Sequence, residues 1–231
     1  MPDSYELTVI IPTFNEEENI AAIIEAVDEV LVSNNLRGEI LVVDDNSRDG
    51  TIAIATRIAD RKENVRLIVR MQDHGLSQSV VEGFSEARSD IFQVIDADFS
   101  HPVELIPRFY EALRNGADIA IGSRYMKGGS IEQWPFRRRI ISLGATVFGR
   151  ILFPEITDPV SGFFAVKREV VEHAPLTPRG YKILMEVLGK GRWRSVVEIP
   201  FVFRDREEGE SKLRVNTIIE YITQCIDITL Y

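Results

Sequence analysis

The sequence is nearly devoid of cysteine, with a single one, Cys225, in 231 residues. That excludes an internal disulfide and a cysteine-rich zinc site, and it suits a reducing compartment. Long apolar runs are missing too, since no stretch approaches the roughly 18 uninterrupted apolar residues of a membrane span. There is no excess of positive charge: 36 acidic residues outnumber 27 basic ones, for a net charge of −9. A nucleic-acid binder would show a basic face, so nucleic acid is not an expected partner. The polar first six residues argue against a signal peptide. No G-x-G-x-x-G follows the first apolar run and no G-x-x-x-x-G-K-[ST] occurs anywhere, so neither a dinucleotide fold nor a P-loop is supported. The three histidines, His74, His101 and His173, lack metal-ligand spacing and read as incidental.

What is present is an alternation of two hydrophobic periods. Residues 7–11 form a short apolar run rich in β-branched side chains, closed by Pro12-Thr13-Phe14-Asn15, which predicts a buried strand ending in a loop. Residues 16–32 then place Ile20, Ile23, Ile24, Val27, Val30 and Leu31 on one helical face. The unit repeats, with strands predicted at 40–43, 65–69, 91–95 and 118–122 and helices at 52–59, 76–87 and 102–115. Such alternation implies an α/β fold, a mostly parallel sheet with helices on both faces. Ligands of such sheets sit in the crevice beyond the carboxyl ends of the strands. Those ends carry Pro12, Phe14 and Glu16, then Asp44 and Asp45, His74 and Gly75, Asp96 and Asp98, and finally Ser123 and Arg124. Five acids and an arginine along one rim exceed what loops require.

The central pair is Asp96-Ala97-Asp98. Carboxylates at i and i+2 lie on the same side of an extended chain, so at a strand end they can converge on one hard divalent cation, which would hold a diphosphate. An isolated D-x-D is more often two solvated acids in a turn, and the surrounding motifs must decide.

Ile10-Ile11-Pro12-Thr13-Phe14-Asn15-Glu16, Val42-Val43-Asp44-Asp45-Asn46-Ser47, Asp96-Ala97-Asp98 and Ile121-Gly122-Ser123-Arg124-Tyr125 resemble, in order and spacing, an inverting family 2 glycosyltransferase with the GT-A fold. Trp134-Pro135-Phe136-Arg137-Arg138, Asp158-Pro159-Val160-Ser161-Gly162-Phe163-Phe164, Lys182-Ile183-Leu184-Met185-Glu186 and Gly209-Glu210-Ser211-Lys212-Leu213 are similar to its dolichol-phosphate mannose synthase branch. The resemblance implies a Rossmann-like GT-A domain over 1–213, with a nucleotide-sugar half (1–122) and an acceptor half (123–213). Residues 214–231 would follow as an apolar, amphipathic C-terminal helix.

Carried over position by position, the resemblance implies that Pro12, Phe14, Glu16, Val43 and Asp45 hold the nucleoside and that Asp96 and Ala97 approach the donor. Asp98 would bind Mg²⁺ or Mn²⁺ with Asp96; the family's usual glutamine is Ser100 here, a shorter and weaker ligand. Arg124, Lys182, Arg206 and Lys212 would surround the phosphates, while Arg124, Arg138 and Ser142 would meet the acceptor phosphate. Asp96, Arg124 and Arg138 thus stand as the catalytic group. The implied reaction moves one hexose, mannose from GDP-mannose, onto dolichyl or polyprenyl phosphate with inversion, at the cytoplasmic face of a membrane. Alternatives are a glucosyl- or N-acetylhexosaminyltransferase using a UDP sugar, and an inactive nucleotide-sugar-binding subunit. Retention of Asp96, Asp98, Arg124 and Arg138 speaks against the last.

Lys127-Gly128-Gly129-Ser130 reads as a mobile loop, and the three arginines 137–139 beside the uncharged 140–149 suit a helix at a lipid interface as well as a core helix with a basic first turn. Trp193 follows no glutamine at the spacing of the Q-x-x-R-W of processive synthases, which argues for single transfer. The apolar ending implies a membrane subunit as partner or a transmembrane segment beyond Tyr231.

Overall fold

The computed structural model describes residues 5–72, 74–132, 144, 146–177, 182–204 and 223–229. Its framework is a seven-stranded sheet in the order β3-β2-β1-β4-β7-β5-β8. The strands are β1 (Leu7–Thr13), β2 (Gly38–Asp44), β3 (Val65–Val69), β4 (Ile91–Val94), β5 (Ile119–Ser123), β7 (Phe164–Lys167) and β8 (Val196–Pro200). The short β6 (Ser130–Ile131) and β9 (Val202–Phe203) pair separately and in parallel. Helices α1 (Ile20–Ser33), α2 (Thr51–Ala59), α3 (Leu76–Glu86) and α4 (Ile106–Arg114) fill the first four crossovers; α5 (Arg168–Val171) and α6 (Ile183–Lys190) follow β7. Segments 146–152 and 223–229 are also helical.

The strand period of two sorts the core into two layers. Leu7, Val9 and Ile11 of β1, with Ile40 and Val42 of β2, face α1 and α4; Ile10, Leu41 and Val43 face the opposite layer with Val80 and Phe84 of α3. All of these side chains are at most 5% exposed, so both faces of the central strands are covered, as a parallel sheet requires.

The predicted strands and helices of residues 7–122 are all present, with ends that coincide or shift by up to four residues; the helix predicted over 102–115 opens with a separate 3-10 turn at Val103–Leu105. β7 was not predicted, and it runs antiparallel between β4 and β5. Because it starts where its neighbours end, the segment that leads into it, 158–163, lies along the carboxyl rim. The glycine loop also differs from expectation. Gly129 donates its N–H to Met126 O at 2.9 Å, Ser130 donates to Phe201 O at 3.1 Å, and a Cβ on Gly129 would come within 2.4 Å of Ser123 O. The second glycine thus lets the chain fold tightly back on the end of β5, and the loop is part of a built turn.

Candidate active site

Three strand ends turn into the rim through residues with left-handed backbone: Asn15 (φ 56°) after β1, Asn46 (φ 61°) after β2 and Phe99 (φ 57°) after β4. Asparagine tolerates that region, whereas a bulky residue there is uncommon. The first two loops clasp each other. Asn15 N–H donates to Ser47 Oγ (2.8 Å), Arg48 N–H to Asn15 Oδ1 (2.9 Å) and Glu16 N–H to Thr51 Oγ1 (2.8 Å). Asp44 is fully buried and serves this clasp, accepting from Ser47 N–H and Ser47 Oγ, both at 2.7 Å.

Its neighbour Asp45 points to the next loop. Its carboxylate accepts from Arg70 Nη1 (2.9 Å), Gly75 N–H (2.7 Å) and His74 Nδ1 (3.0 Å), the last of which requires the proton on Nδ1. His74 is therefore tied into the rim at a residue implied to hold the nucleoside.

At the centre, Asp96 and Asp98 are half-buried and Ala97 is buried. Asp98 Oδ1 accepts the Ser100 N–H at 3.0 Å, and the buried Ser100 Oγ has no hydrogen-bond partner among the described residues. Two carboxylates and an orphaned hydroxyl are all hard oxygen donors, which fits Mg²⁺ or Mn²⁺. No group of three or more His, Cys, Asp or Glu is gathered for a metal among the described residues.

His101 is not incidental. It is 3% exposed, stacked on Phe163 with 4.9 Å between ring centres, and flanked edge-on by Phe201 and Phe203. Its Nδ1 accepts the backbone N–H of Asp96 at 3.0 Å, so in the neutral ring the proton sits on Nε2, 3.8 Å from Asp96 Oδ2. Burial pushes the imidazole below its ordinary pKa, against the opposing pull of Asp96 and Asp98. The sequence signal was its place three residues after Asp98, which spacing rules for metal ligands do not register.

Arg124, one residue past β5, is 8% exposed and held on two sides of its fork by Asp158, Nε to Oδ2 at 2.7 Å and Nη2 to Oδ1 at 2.8 Å. Its guanidinium also lies 5.4 Å from the Tyr125 ring centre and 5.8 Å from that of Phe203. Burial works against its charge, but the hydrogen bonds and charge of Asp158 outweigh burial and raise its pKa. Lys182, at the start of α6, donates to Val160 O at 3.2 Å, in the segment that follows Asp158. Arg138, Ser142, Arg206 and Lys212 lie outside the described residues, as do Trp134 to Phe136 and most of the C-terminal tail.

An open cleft of about 1270 Å³ runs along the ends of β1, β4 and β8. Glu16, Asp98, Phe99, Phe201 and Arg204 line it, whereas Asp45, Arg124 and Lys182 are not among the described residues that do. The volume is ample for a nucleotide-sized ligand. No helix among the described residues is long and apolar enough to cross a membrane.

The profile of "Glycosyl transferase family 2" matches residues 8–174. A dolichol-phosphate mannosyltransferase of Pyrococcus furiosus is 51% identical over 220 residues, covering 94% of this chain and 62% of that protein, so the chain spans less than two thirds of the relative's length. A polyprenol monophosphomannose synthase of Mycolicibacterium smegmatis is 37% identical over 226 residues, 92% of this chain and 82% of the relative. Among solved structures, glucosyl-3-phosphoglycerate synthase from Mycobacterium tuberculosis, in complex with Mn²⁺, UDP-glucose and phosphoglyceric acid, superposes with a TM-score of 0.70 at 21% identity, covering 98% of this chain and 79% of that one. At that identity the likeness carries the fold, and the GT-A arrangement implied by the motifs is the one observed.

Proposed function

We propose that this chain, which belongs to glycosyl transferase family 2, transfers a single mannose from GDP-mannose to a dolichyl or polyprenyl phosphate with inversion. The carrying observation is that His101 joins the Asp96-Ala97-Asp98 turn to an arginine locked by a buried carboxylate: its Nδ1 accepts the Asp96 N–H at 3.0 Å, and the Phe203 ring that stands edge-on to it lies 5.8 Å from the Arg124 guanidinium, which Asp158 holds at 2.7 Å. The activities named for the relatives from Pyrococcus and Mycolicibacterium support the choice of sugar and acceptor. The work would take place at the cytoplasmic face of a membrane.

In this reading Asp96, Asp98 and Ser100 hold a divalent cation, Mg²⁺ or Mn²⁺, which when bound neutralises charge on the diphosphate leaving group. Arg124 meets phosphate oxygens with a cation already fixed in place, so little reorganisation accompanies the reaction. Pro12, Phe14, Glu16, Val43 and Asp45 seat the nucleoside, and Lys182, Arg206 and Lys212 add positive charge. Arg138 and Ser142 hold the acceptor phosphate.

Transfer to this acceptor needs no base from the protein. A phosphate monoester has a second ionisation near pH 6 by analogy with phosphorylated side chains, so at pH 7 the acceptor is already largely a dianion. Buried acids that would otherwise be candidates are occupied: Asp158 by Arg124, and Glu186 by Lys190 at 2.7 Å.

The test is incorporation of radiolabel from GDP-mannose, UDP-glucose or UDP-N-acetylglucosamine into polyprenyl phosphate, with and without EDTA. The expected outcome is transfer from GDP-mannose, abolished by EDTA. Transfer from a UDP sugar in its place would overturn the donor, and no transfer from any of the three would leave a binding subunit.

A further inference from the structure

β8 is an edge strand whose side chains alternate between the two core layers: Val196 packs with the α3 and α6 layer, and Ile199 belongs to the layer of α1 and α4. Glu198, two residues past Val196, therefore turns its carboxylate toward the same layer as Val196 and the buried Ile156. The residues next to Ile156 give that charge its partners. Glu198 Oε1 accepts the N–H of Asp158 (3.0 Å), the N–H of Thr157 (3.0 Å) and the Thr157 hydroxyl (2.7 Å), while Oε2 shares the Thr157 N–H at 2.9 Å.

Donor and acceptor roles then follow in a line. Thr157 Oγ1 gives its proton to Glu198, so the Ser123 hydroxyl, 2.6 Å away, donates to Thr157, and Ser123 Oγ accepts the Met126 N–H at 3.2 Å. Glu198 is the acceptor at the end of this chain, which starts in the residues flanking Arg124. From the far side, Arg150 holds the Thr157 carbonyl with Nε (2.8 Å) and Nη2 (2.6 Å). The backbone at 157–158 is thus gripped on both its N–H and its C=O sides. The carboxylate it presents, Asp158, is 0% exposed and takes three bonds from Arg124, including the backbone N–H at 3.1 Å.

We infer that Glu198 is a positioning residue for the transfer: by holding the 157–158 backbone it sets the Asp158 carboxylate and, through it, the direction in which Arg124 presents its guanidinium to substrate phosphate. This rests on the role proposed for Arg124 above. Glu198 touches no reacting atom; it removes the freedom of the arginine fork, and misplacement by about 1 Å at a phosphate contact costs up to ~100-fold in rate.

The test is a double-mutant cycle on the full 231-residue chain, with kcat and the KM for polyprenyl phosphate measured per folded molecule by circular dichroism. Glu198→Ala is expected to lower kcat/KM by about 10- to 100-fold. Glu198→Gln, whose one carbonyl oxygen can take the place of Oε1 and its three donors, should recover most of that. In the background of Arg124→Lys, which keeps a cation but cannot make the fork, Glu198→Ala should add almost nothing. Should Glu198→Ala not fold, Glu198→Asp, which is too short to reach the loop, replaces it in the cycle. Fully additive losses, or a lowered melting temperature with unchanged kcat/KM, would overturn the inference alone. Wild-type kinetics in Arg124→Lys would overturn the reading of Arg124 and the inference with it.

Discussion

The carboxyl rim of the sheet is assembled in two ways. Between β1 and β2, equivalent loops of adjacent βα units clasp each other through neutral donors: the Ser47 and Thr13 hydroxyls give to the buried Asp44, the Asn15 N–H gives to Ser47, and the Gly50 N–H gives to the exposed Glu17. Between β5, β7 and β8, three segments from distant parts of the chain meet through ions, with Arg124, Asp158, Glu198 and Arg150 in one network. The first kind of rim can hold a chain in shape. The second holds a charge in a chosen direction, and a buried ion is tolerated only when its hydrogen bonds are filled.

The largest effect should come from breaking the ionic clasp. Asp158→Ala leaves the Arg124 fork buried without its carboxylate and should lower the unfolding free energy by about 3–5 kcal/mol, read from urea denaturation. Breaking the neutral clasp should cost less: Ser47→Ala removes a hydroxyl that donates to Asp44 and accepts from Asn15, for a loss of about 1.5–3 kcal/mol, seen as a lower midpoint with an unchanged m-value. If Ser47→Ala proved the more damaging, the contrast between the rims would fail.

The opposite end of β5 tests the charged half through pH. Asp118 accepts from the Arg194 and Ser195 N–H groups and from Lys167, tying β5 to the start of β8 and to β7. Burial raises its pKa, but these bonds outweigh burial and bring it below the ordinary 3.8. With the folded value depressed, the unfolded chain binds the proton more readily, so the stabilisation is complete above about 3.8 and is lost as pH falls through the folded value. Asp118→Asn should therefore melt with a shallower dependence on acid than the wild type; equal slopes would remove Asp118 from the acid response.

The smallest effect is expected at Phe99, where a bulky side chain sits in the left-handed region. Phe99→Asn relieves that backbone and gives up a ring that is 42% exposed, for a net gain of up to about 1 kcal/mol. A clear loss of stability would show that the ring's contacts outweigh the backbone.

The legibility of the two halves differs for a physical reason. Over residues 7–122 each strand is a short apolar run and each helix a face of period 3.6, so burial can be read locally, and the elements expected there are those observed. The Asp96-Ala97-Asp98 turn stood out because it closes such a run. β7 did not stand out, because Phe164 to Lys167 is four residues long and neither its neighbours nor its direction is written in its own period. Glu198 sits in Val-Val-Glu-Ile-Pro, which reads as an ordinary half-exposed edge. His101 lacked a metal-ligand partner in sequence, and its aromatic surround comes from residues 62 to 102 positions further on.

The sequence by itself determined the α/β alternation, the rim on which chemistry is placed, and the motifs that carry the family. Those properties depend on local periodicity and on short words of a few residues. Only the tertiary structure decided that β7 would run backwards, delivering Asp158 to the rim, that Arg124 would spend two arms of its fork on that carboxylate, and that Asp45 would bind the His74 loop. Each of these is a pairing between residues 25 or more positions apart, and such pairings are selected by the packing of whole layers, which no single stretch of chain encodes.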